Sequence, residues 1–95
     1  APTIPATPTG LVAVGSTQSS ITLDWNDTAG ATSYDVQRSA DGGTTWNFAG
    51  SVAASVFMDS GLTANTLYQY QVRAVNAAGP SPWTASLAVS TLPSP

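Results

Sequence analysis

Apolar and polar residues alternate with a period of two in several segments of the chain. In Ser20–Asn26, Ile21, Leu23 and Trp25 fall on one side, and Thr22, Asp24 and Asn26 on the other. In Ser33–Arg38, Tyr34 and Val36 alternate with Asp35 and Gln37. In Leu67–Asn76, Tyr68, Tyr70, Val72 and Ala74 alternate with Gln69, Gln71, Arg73 and Val75. Leu87, Val89 and Thr91 repeat the pattern in Ser86–Leu92. This period marks half-buried strands. Shorter candidates are Leu11–Val14, Asn47–Val52 and Val56–Asp59.

No window places apolar residues at i, i+3, i+4 and i+7 over three turns, so helices are not expected. Turn clusters such as Asn26–Gly30 and Asp41-Gly42-Gly43 separate the segments. Seven short alternating strands predict an all-β, two-sheet sandwich. Trp25, Tyr34, Phe57, Tyr68 and Tyr70 fall on inward positions. With no cysteine in the chain, stacked apolar faces must hold the sheets together.

Proline shapes the ends. Pro2, Pro5 and Pro8 interleave with threonine at the start, and Pro93 and Pro95 close the chain. Proline fixes φ and removes a donor, which favours extended linkers. The expected organisation is a Pro/Thr-rich linker over 1–7, one domain over 8–92 and a linker remnant over 93–95.

Charge narrows the possible partners. The chain has no Lys, Glu, His or Cys; Arg38 and Arg73 stand against five aspartates, for a net charge of −3. Two cations in 95 residues give phosphate neutralisation almost nothing to work with. Nucleic acid and anionic membranes are therefore not expected partners. No apolar run approaches the roughly 20 residues of a membrane span, and no secretory leader is legible. The Thr/Ser-rich, lysine-free, acidic surface fits a secreted bacterial protein.

A family resemblance runs from Pro8 to Thr91. Pro8-Thr9-Gly10-Leu11 with Val12–Val14 resembles the first strand of a fibronectin type III domain. Ser20–Trp25 is similar to its second strand, whose Trp is the central core residue, and Ala31–Val36 to its third. Gly61–Tyr68 is similar to the family's tyrosine-corner segment, with Ala64-Asn65 where Pro-Gly is usual. Asn tolerates the left-handed backbone that Gly would take there. Val72–Ser81 resembles the sixth strand and the loop after it.

The resemblance implies a seven-stranded immunoglobulin-like β-sandwich. It also implies that the Tyr68 hydroxyl meets a backbone group near Leu62. The family's Arg-Gly-Asp adhesion tripeptide is absent, since neither arginine precedes Gly-Asp. In bacteria such modules look most at home inside secreted polymer hydrolases.

Ser39–Trp46 fits S-x-D-x-G-x-x-W and resembles an Asp-box hairpin. There Asp41 is expected to accept turn amides, the glycines to take positive φ, and Trp46 to fold across. Catalysis is not expected. Asp24 and Asp35 lie on outward strand positions, and Asp27, Asp41 and Asp59 read as turn residues that satisfy backbone donors. His, Cys and Lys are lacking for a nucleophilic triad, and the ligands of a zinc site are missing too. No metal or cofactor is expected, beyond an adventitious cation at Asp27 or Asp59.

Trp46, Phe48 and Trp83 fall at hairpins or loop ends, where sugar-stacking platforms would sit. The function expected is a monomeric, non-catalytic spacer or scaffold acting on neighbouring domains of its own chain. The rivals are a polysaccharide-binding module using Trp46 and Trp83, and a protein-adhesion module. If Val36 lies opposite Val72, then Asp35 faces Arg73 and Gln37 faces Gln71 on a polar, nearly neutral outer surface.

Overall fold

The computed structural model describes residues 3–93. Ala1, Pro2, Ser94 and Pro95, parts of the expected terminal linkers, lie outside the described residues. Eight strand segments follow in order: β1 (Val12–Ser16), β2 (Ile21–Asp24), β3 (Ser33–Ser39), β4 (Asn47–Val52), β5 (Val56–Asp59), β6 (Leu67–Asn76), β7 (Gly79–Pro80) and β8 (Leu87–Ser90). They form a sandwich of a three-stranded sheet, β1-β2-β5, and a five-stranded sheet, β4-β3-β6-β7, in which β8 also pairs with β6.

The inward phase of each strand builds the core. Ile21, Leu23 and Trp25 from the first sheet meet Tyr34, Val36, Tyr70, Val72 and Ala74 from the second. Trp25 and Tyr34 pack edge to face with ring centres 5.4 Å apart. Tyr34 also turns its hydroxyl to the β2–β3 loop, where it accepts a 2.8 Å hydrogen bond from the Thr28 amide. Phe57, expected in the core, is only half-buried, because β5 is an edge strand. Its ring closes the gap over Gly50, where a Cβ would come within 2.7 Å of it.

The expected count of seven strands becomes eight because the last strand is broken. β7 and β8 both pair with β6, at Asn76↔Gly79 and at Leu67↔Ser90 through Tyr70↔Leu87. Between them lies Pro82, which has no N–H to give a ladder. Side chains take over the lost acceptor positions. The Ala74 amide donates to Ser81 Oγ at 3.0 Å, and the Val72 amide to Thr84 Oγ1 at 3.1 Å.

The β5–β6 crossover is pinned by Tyr68. Its hydroxyl accepts a 3.0 Å hydrogen bond from the Thr63 amide, beside buried Leu62, and Asn65 takes φ 53°. Tyr68→Phe keeps the ring and removes only this bond. A loss of about 1–3 kcal/mol in urea unfolding is expected. A neutral outcome would mean that the hydroxyl is satisfied equally well by water.

The two chain ends leave from opposite ends of the sandwich. Pro5 and Pro8 are buried, and the Thr3 carbonyl meets Asn76 at the end of β6. Leu92 is held near the start of β6, donating to Thr17 O and accepting from the Asn65 amide.

Candidate functional site

The outer face of the five-stranded sheet has the expected register, Asp35↔Arg73, Val36↔Val72 and Gln37↔Gln71. Four of its polar side chains are paired with one another. Arg73 Nε donates to Asp35 Oδ2 at 3.0 Å, and Gln37 Nε2 to Gln71 Oε1 at 2.6 Å. The Arg73 guanidinium also lies 4.5 Å from the centre of the Trp83 ring, a cation–π distance. One face of Trp83 is therefore covered.

Trp46 is half-buried against the hairpin, with its ring 3.7 Å from the position a Cβ on Gly43 would take. The two tryptophans come from opposite flanks of the sheet, one ahead of β4 and the other between β7 and β8. Phe48, opposite Gln37 on β4, adds an open aromatic at 67% exposure. A single free ring beside paired amides does not make the continuous platform that a polysaccharide chain stacks on.

The Ser39–Trp46 hairpin is internally satisfied. Asp41 Oδ1 accepts from the Thr45 amide at 2.8 Å and from Ser39 Oγ at 2.7 Å, while Ser39 Oγ accepts from the Gly43 amide. Gly42 and Gly43 take φ of 77° and 92°. The Thr45 amide, and then the Ser39 hydroxyl, hold the Asp41 carboxyl below its ordinary pKa. A carboxylate stabilised in this way holds the turn in shape.

Asp59 corrects the sequence reading. It is the last residue of β5 rather than a turn residue, and it is buried at 6% exposure. Its Oδ2 accepts from Arg38 at 2.6 Å and from the Tyr70 hydroxyl at 2.9 Å. The cluster ties β5 of one sheet to β3 and β6 of the other. Burial, and then the neighbouring Asp59 charge, push the Tyr70 phenol far above its ordinary pKa. Burial pulls the Arg38 guanidinium down, but the Asp59 hydrogen bond and charge more than offset this and leave it raised. The carboxylate reserved above for an adventitious cation is thus committed to an arginine and a phenol. Asp35 and Asp41 are also held, while Asp24 and Asp27 stand exposed.

A shallow cleft of about 290 Å³ lies between Pro8–Leu11 and Thr84–Leu87. No titratable side chain lines it. No helix among the described residues is long and apolar enough to cross a membrane.

The family model for the fibronectin type III domain matches residues 6–90. Among curated proteins, the chain is 42% identical over 95 residues to exoglucanase B of Cellulomonas fimi, covering 94% of this chain and 8% of that protein. It is 40% identical over 85 residues to a poly(3-hydroxybutyrate) depolymerase of Ralstonia pickettii, covering 88% and 16%. Chitinase A1 of Niallia circulans matches at 39% over 80 residues, covering 81% and 11%. The chain thus spans a small part of each relative. Among solved structures, FN3tt superposes with a TM-score of 0.86 at 28% identity, over 96% of this chain and 98% of that one.

Proposed function

The chain belongs to the fibronectin type III family, and on that footing we propose that it is a non-catalytic spacer or scaffold module of a secreted multidomain protein, a bacterial carbohydrate- or polymer-degrading hydrolase. The observation that carries this reading is the outer face of the larger sheet. Its Gln37–Gln71 amide pair, its Asp35–Arg73 ion pair and one face of Trp83 are occupied within the fold instead of being presented to a ligand. The relatives support the setting, since in each of them the matching stretch is a minor part of a polymer-degrading enzyme.

Such a module acts by geometry. It holds the domains on either side at a set separation and so fixes their effective concentration on an insoluble, extracellular substrate. The polysaccharide-binding rival would need Trp46 and Trp83 to act together, and they lie on opposite flanks with their faces partly covered. The Arg-Gly-Asp mode of adhesion lacks its tripeptide, and the β6–β7 turn that would carry it spans only Ala77 and Ala78; adhesion through sheet edges or other loops is the second rival.

Pull-down of the isolated module with cellulose, chitin and starch is expected to leave it in solution. Retention on any of these that vanishes in Trp46→Ala or Trp83→Ala would replace the spacer with a binder.

A further inference from the structure

Asn76, the last residue of β6, uses both donors of its amide and one of its two acceptor positions. Nδ2 donates to Thr3 O at 3.0 Å and to Gly30 O at 3.2 Å. Oδ1 accepts from the Ala78 amide at 2.9 Å. One side chain therefore ties together the segment before β1, the β2–β3 loop and the β6–β7 turn.

The segment is seated through its two prolines, while Ile4 stays half exposed. Pro5 and Pro8 are buried, and Ile4 lies against Gly79, whose φ of 134° is readily available to glycine alone. At its far end the Asn26 amide donates to Thr9 O at 2.9 Å and Asn26 Nδ2 to Thr9 Oγ1 at 3.2 Å. The loop is braced in turn, because the Thr32 amide and hydroxyl both donate to Val75 O. A free Pro/Thr linker would bury no proline and accept no side-chain hydrogen bond.

We infer that the loop end built around Asn76 is an interdomain joint: it clamps residues 3–8 to the sandwich and carries the preceding domain of the same chain in a fixed orientation. This rests on the reading of the chain as a module within a longer protein. Asn76 is the positioning residue. The surface offered to that neighbour is nearly uncharged, Asp27 being the one charge in the two loops and the clamped segment.

The test joins a small folded reporter domain ahead of Ala1 and measures NMR relaxation of both halves. The joint requires a single tumbling unit, with backbone order parameters near 0.85 at residues 3–7. Asn76→Asp keeps the acceptor for Ala78 and removes both donors. It should drop those order parameters below about 0.6 and split the tumbling into two correlation times. Ile4→Ser combined with Pro5→Gly, which leaves Asn76 and its loop in place, should do the same.

A segment already mobile in the unsubstituted protein overturns the inference. So does coupling that survives both variants. Retention on polymer would sink the spacer reading and leave the joint standing, whereas independent tumbling would do the reverse.

Discussion

Trp25→Ala is expected to lower the stability of the domain by about 3–5 kcal/mol, enough to unfold much of a marginal module. Trp25 is 3% exposed, sits in phase with Ile21 and Leu23, and fills the space against Tyr34. An alanine methyl cannot reach across that gap, so truncation leaves a cavity as well as losing the transfer energy. The indole brings a second test. Its Nε1 finds no acceptor among the described residues. Trp25→Phe therefore removes an unmet donor along with some volume, and should cost much less than Trp25→Ala. Urea unfolding of the two variants decides it. An alanine variant that melts within a few degrees of the parent would show that β2 has the wrong face inward.

Asp59→Ala is expected to cost about 3 kcal/mol, the low end for removing one partner of a buried pair. The low end applies because the Arg38 side chain keeps 31% of its surface, so water screens part of the loss. What remains is the Tyr70 hydroxyl, at 0% exposure and without an acceptor. If the penalty comes from stranded polar groups, removing them should restore stability. The triple variant Arg38→Met, Asp59→Leu, Tyr70→Phe should recover most of the loss. A single Asp59→Ala variant within about 0.5 kcal/mol of the parent would show that the cluster contributes no more than an ordinary surface change.

These two sites were not equally legible. Trp25 could be placed from its own strand, because a period of two fixes which side chains share a face. The rule also served for the strand limits of β6, and those of β4 and β5 were legible too. The β3–β6 register could only be supposed from the family's strand arrangement. The period also held a signal that went unread. Arg38 shares the parity of Tyr34 and Val36, and Asp59 shares that of Phe57, so both charges point inward. Burying a lone charge is too costly to assume, and only the meeting of the two sheets shows that each has its partner. The broken last strand was hidden for a related reason. Ser81 and Thr84 read as loop residues until β6 is seen to need their hydroxyls. The clamp at Asn76 joins residues 73 positions apart, a separation that no local pattern encodes.

The placement of the two chain ends has a mechanical consequence. The segment entering at Asn76 and the one leaving past Leu92 sit at opposite ends of β6, whose ten residues cover about 33 Å. The terminal strands β1 and β8 belong to different sheets. When the two ends are pulled apart, tension runs along the strands. It then loads rows of hydrogen bonds together in shear instead of peeling them one by one. Resistance to such pulling is set by the unfolding rate rather than by the equilibrium stability.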